Sequence, residues 1–172
     1  GLLALLSPRW VVADLGCGTG NATELLAPHV ERVIAVEQVE PMLEAARLRL
    51  SGIKNVQFAP GSLEKLPLKD GSVDAAVCVL VLHHIQEPVK VLKEMRRVLR
   101  AERGGGVVLI VDMVEHDREE YRHTMGHVNL GFSGETMTGM LREAGFVEPR
   151  VVELESDPEG KGPGLFAATG RM

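Results

Sequence analysis

The sequence predicts an α/β fold: a doubly wound, mostly parallel sheet with an antiparallel pair at one edge and helices on both faces. Three observations predict it. Short, near-continuous apolar runs alternate with stretches of helical period, the pattern of a parallel sheet covered on both sides. The first run ends in a glycine-rich turn that leads directly into a helix. The turn residues Pro158, Gly160, Gly162, Pro163 and Gly164 lie between the last two runs, which suits a closing pair at one edge.

The strands follow from their composition. Residues 10–15, 32–37, 73–80 and 107–112 are the strong apolar runs and give strands one, two, four and five. The weaker run 56–59 gives strand three, and 151–154 with 165–169 give the closing pair. Between strands one and two, Ala22, Leu25, Leu26 and Val30 keep helical spacing. Pro41 opens a second helix with Leu43, Ala46 and Leu50 on one face and Gly52 at its end. A third starts near Pro88, carries Val91, Leu92, Met95, Val98 and Leu99 on one stripe, and stops before the glycine run 104–106. Ser133 caps a fourth, with Met137, Met140, Leu141 and Ala144 inward and Gly145 as the stop. Residues 115–132 show no clear period and are dense in His, Arg, Met and Gly.

One domain accounts for the whole chain of 172 residues, and 45% hydrophobic with 25% charged residues suits an ordinary folded interior. A formal charge of -5 gives no electrostatic reason to expect binding to a phosphate backbone. Cys17 falls in the glycine turn and Cys78 in a buried strand, so neither belongs to a disulfide framework, which favours the cytoplasm. The apolar start, residues 1–6, is too short to span a bilayer and lacks a signal-peptide pattern. It reads as the end of a helix that begins upstream.

The chemistry centres on Asp14-Leu15-Gly16-Cys17-Gly18-Thr19-Gly20-Asn21, where the backbone must turn sharply and come close to a ligand. A dinucleotide fingerprint needs its third glycine at position 21, which is Asn21, so a nicotinamide-dependent oxidoreductase loses its key residue. Strand two ends in a carboxylate, Glu37, where the switch in strand order leaves a ligand crevice.

The stretch from Asp14 to Gly20 resembles the first motif of the class I methyltransferases, a Rossmann-like family that uses S-adenosylmethionine and releases S-adenosylhomocysteine. The resemblance implies that Gly16, Gly18 and Gly20 cradle the methionine part of the cofactor, that Asp14 orients its ammonium, and that Glu37, with Gln38 beside it, meets the ribose. Many members carry a Gly-Asp pair after strand three for the adenine amino group. Here Ser62 replaces that aspartate, leaving its hydroxyl and the Leu63 N–H as adenine partners. Leu80 and Val81, after strand four, line the meeting point of cofactor and acceptor, and His84 is the conditional general base. Arg97-Val98-Leu99-Arg100 before the glycine run is similar to the family's passage into strand five.

A narrower resemblance rests on residues 116–122, 125–127, 130–133 and 161–163, which look like methyltransferase portions attached behind ArsR-type winged-helix regulators. It implies an upstream helical cover or an attached DNA-binding domain, and places Arg118, Tyr121, Arg122, Met125 and His127 on the substrate side. Arsenic methylation relies on several thiols that this sequence lacks, and no metal ligands are expected. Two functions therefore stand side by side: an enzyme that methylates a small-molecule acceptor, and a sensory module that binds the adenosyl ligands without turnover.

Overall fold

The computed structural model describes residues 6–101, 106–155 and 162–172. The glycines at 104 and 105, Lys161, Pro158, Gly160 and all but the last residue of the apolar start lie outside these. Seven strands are formed: β1 (Val11–Leu15), β2 (Arg32–Glu37), β3 (Val56–Pro60), β4 (Ala75–Val79), β5 (Val107–Met113), β6 (Val147–Glu153) and β7 (Leu165–Arg171). They make one sheet in the order β3-β2-β1-β4-β5-β7-β6. β3, β2, β1, β4 and β5 pair parallel, and β7 lies antiparallel between β5 and β6. The order runs outward from β1 in both directions, so the carboxyl ends of β1 and β4 flank a topological switch point.

Successive side chains on each strand point to opposite faces, and both faces are covered. Ala13, Leu15, Ala76, Cys78, Val108 and Ile110 face α3 (Pro88–Val98) and α5 (Gly134–Glu143). Val12, Val33, Ala75 and Val77 face α1 (Asn21–Leu26) and the 3₁₀ turn Ala27–His29, while Ala35 meets Leu43 and Ala46 of α2 (Glu40–Arg49) and Leu50 at its C-terminal cap. Val91, Leu92, Met95 and Val98 of α3 are fully buried, each contributing about 1.5–3 kcal/mol of transfer free energy. Ser133 caps α5 as expected: its hydroxyl accepts from the Thr136 N–H at 3.1 Å. A fifth short helix, α4 (Glu120–Thr124), forms within the segment that has no readable period.

The structure differs from the sequence pattern in two places. Of the four residues at helical spacing, Leu25 is 64% exposed, and Thr23, Leu26 and Val30 take the buried positions. Strand four is shorter than the apolar run 73–80. Val73 makes an isolated bridge to Leu99, and Leu80 leaves the sheet with a φ of 56°.

Candidate functional site

The turn after β1 passes through Gly16, Gly18 and Gly20, all at positive φ, where a side chain is strained. Each glycine meets a different neighbour. A Cβ on Gly16 would stand 2.7 Å from Val81 Cγ2, so the turn lies tightly against the exit of β4. A Cβ on Gly20 would meet Leu50 Cδ1 at 2.8 Å, so this residue lets α1 close on α2. Gly18 faces open space. The Gly16 and Cys17 N–H groups donate to the Val36 carbonyl at 2.9 and 3.0 Å, which fastens the turn to β2.

Beside Gly18 lies a cavity of about 340 Å³ at the carboxyl ends of the parallel strands. Gly16 and Gly18 border it from β1, Glu37 and Gln38 from β2, Leu63 from the segment after β3, and Leu80, Val81 and His84 from the segment after β4. Val39, Met42 and Ile85, which the sequence reading did not single out, complete the wall. Glu37 is held at the rim by three backbone donors: Gln38 N–H at 2.8 Å and Val39 N–H at 2.9 Å on one oxygen, Gly18 N–H at 3.1 Å on the other. Leu80 borders the cavity in the left-handed region, a conformation that costs a leucine about 1–3 kcal/mol. Its N–H is anchored on the Val111 carbonyl at 2.8 Å.

Asp14 lies behind the turn and not on the cavity wall. It is 1% exposed and accepts the Thr23 hydroxyl at 2.5 Å. Burial pushes its carboxyl up to about 6 against the pull of those Thr23 hydrogen bonds. Ser62 also lies off the wall, its hydroxyl accepting the Glu64 N–H at 3.2 Å. The 62–70 segment is held from α3: Glu94 accepts the Leu66 N–H at 2.8 Å, and Arg97 donates to the carbonyls of Leu66 and Leu68.

Past β4, a 3₁₀ turn (Leu82–His84) sets two adjacent histidines on different errands. His83 is buried and donates from Nδ1 to Asp112 Oδ1 at 2.7 Å. His84 is exposed and donates from Nδ1 to the Gly126 carbonyl at 3.1 Å. The aperiodic segment docks here through backbone and side chain: Val128 and Asn129 N–H groups donate to the His83 carbonyl, and Asn129 Nδ2 donates to Ile85 O. This brings the buried His127 ring to 4.3 Å from His83 and 5.1 Å from His84, centroid to centroid. Burial and then the neighbouring imidazoles hold His127 below the usual histidine range. On the far side of the segment is a second cavity of about 440 Å³, bordered by His116, Arg122, Asn129 and Thr136. Met125 points to solvent, and Arg118 meets the Tyr121 hydroxyl at 3.1 Å.

A sequence profile for the family described as methyltransferase domain matches residues 13–110, from β1 into β5. The chain belongs to that family. This methyltransferase domain is 36% identical over 157 residues to a 37.1 kDa protein in transposon TN4556 of Streptomyces fradiae, covering 83% of this chain and 45% of that one. It is 31% identical over 120 residues to the methyltransferase YcgJ of Bacillus subtilis, covering 69% and 46%. The domain thus spans about half the length of the curated relatives it matches. Among solved structures, a SAM-dependent methyltransferase from Thermotoga maritima superposes with a TM-score of 0.73 at 28% identity, covering 98% of this chain and 84% of that one. Among the described residues, no helix of the methyltransferase domain is long and apolar enough to cross a membrane.

Proposed function

We propose that this domain binds S-adenosylmethionine in the cavity at the switch point and transfers its methyl group to a small-molecule acceptor, releasing S-adenosylhomocysteine. The observation that carries the proposal is the coincidence of three features at one crevice: open space at Gly18, a carboxylate at Glu37 fixed by three N–H groups, and an apolar wall from Leu63, Leu80 and Val81. Bound there, the cofactor supplies a sulfonium methyl whose leaving group is a neutral thioether.

The chain's own residues then divide the work. Gly18 admits the ligand to the backbone, and Glu37 accepts from the ribose hydroxyls at the rim. Asp14 sets a buried negative charge behind the turn that favours an ammonium in front of it, and Thr23 holds that charge in place. Leu63 packs against the adenine while its N–H is the donor for a ring nitrogen, with Ser62 beside it. Leu80 and Val81 exclude water and align the acceptor, which is the main requirement when the methyl is already activated. His84 borders the cavity with its Nδ1 committed to Gly126, so Nε2 is the nitrogen free to take a proton from the acceptor.

Glu37→Ala tests the assignment. It is expected to weaken S-adenosylmethionine binding by about 1.5–3 kcal/mol, the worth of a hydrogen bond to a charged acceptor, read by calorimetry. Unchanged affinity removes Glu37 from the ribose role. The finer reading, a methyltransferase portion attached to an ArsR-type DNA-binding domain, rests on the sequence pattern of residues 116–122, 125–127, 130–133 and 161–163. In its sensory form it predicts tight S-adenosylhomocysteine binding with no turnover on a broad panel of acceptors.

A further inference from the structure

We propose that His83, His84 and His127 form a binding site for one divalent transition-metal ion of the zinc class, with Asp112 orienting His83 from behind. The three side chains each bring one ligand nitrogen to within 4.8 Å of the other two. The hydrogen bonds of His83 and His84 both use Nδ1. His83 Nδ1 is committed to the Asp112 carboxylate and His84 Nδ1 to the Gly126 carbonyl, so each presents an unprotonated Nε2. His127 Nδ1 is buried and has no partner among the described residues. An orphaned buried nitrogen of this kind is destabilising, and a metal ion would satisfy it.

A carboxylate behind a histidine is the usual support of a ligating imidazole, fixing its tautomer and ring direction. Asp112 fits that role, since it is fully buried and its Oδ1 also accepts the Met113 N–H at 2.7 Å. Tetrahedral coordination at about 2.0–2.1 Å needs nitrogens about 3.4 Å apart, so ring rotations of roughly an ångström complete the site. Three imidazoles suit zinc, nickel or copper and leave a fourth position open. His84 is the exposed member and also borders the cofactor cavity, so the open side of the cluster adjoins that cavity. With an ion bound, His84 Nε2 is a ligand and no longer a base.

The test titrates the untagged full chain with Co²⁺, followed by its visible d–d absorption, and then displaces it with Zn²⁺, all without any adenosyl ligand. Failure of cofactor binding therefore leaves the result readable. One equivalent is expected to bind. His84→Gln, a change at an exposed side chain, is expected to lower affinity by more than about 100-fold, and Asp112→Asn by about 10- to 100-fold. Absence of saturable Co²⁺ and Zn²⁺ binding by the unaltered chain overturns the proposal, as does equal affinity in His84→Gln.

Discussion

Asp14 shows how one residue carries two demands at once. Its carboxylate is enclosed at the end of β1, and burial lifts its pKa from 3.8 to about 6. An acid whose folded pKa is raised binds its proton more tightly in the native state. The penalty for ionising it is therefore absent below about 3.8, grows between the two values, and is complete above about 6. Relative to Asp14→Asn, the unaltered chain is expected to lose about 2–3 kcal/mol of stability between pH 4 and pH 7, measured by urea denaturation of both proteins. A constant difference across that range would show that Asp14 titrates as in an unfolded chain. The retained charge fits a site meant to face a cation. The sequence made Asp14, Glu37 and the three glycines legible, because strand ends and glycine spacing are local signals. It did not reveal that Gly20 serves the contact with Leu50, or that Leu80 takes a left-handed conformation, since leucine advertises neither.

Elements were legible where their period was strong. β1, β2 and β5 are apolar on both faces, and α3 carries an unbroken inward stripe, so pattern and structure agree within a residue or two. Residues 115–132 were opaque because what orders them is not their own period. Backbone and side-chain hydrogen bonds to residues 83–85 dock the segment, and these partners lie some forty residues away in sequence. The histidine cluster inherits that opacity, for His127 meets His83 only through this docking. A similar long-range tie holds Leu63 at the cavity: α3 grips the preceding segment through Glu94 and Arg97. The Arg97 guanidinium keeps the Glu94 carboxyl below its ordinary range. Glu94→Ala strands the Leu66 N–H and is expected to lower stability by about 1–3 kcal/mol while weakening adenosyl-ligand binding. Denaturation and calorimetry together check this. Loss of stability with unchanged ligand affinity would separate Leu63 from the site.

At the scale of the whole molecule, the strand order 3-2-1-4-5-7-6 decides where chemistry can occur. Helices leave the sheet on opposite faces on either side of β1 and β4, which opens a crevice only at their carboxyl ends. The glycine turn, the rim carboxylate, the apolar wall and His84 all converge there, although they come from four different strand exits. The mostly parallel sheet with its antiparallel edge pair follows from the alternation of apolar runs and helical stripes and was readable before any coordinates, whereas the full strand order was not. Nor was the acceptor, because the aperiodic segment that the resemblance places on the substrate side is ordered by contacts distant in sequence and not by a period of its own. The proposed occupant of the crevice is an adenosyl cofactor. Calorimetric titration of the folded chain with S-adenosylmethionine, S-adenosylhomocysteine and NAD tests it most directly. Saturable binding of the two adenosyl ligands at one site per chain, with none of NAD, is the predicted result; NAD binding, or no binding of either adenosyl ligand by folded protein, would contradict it.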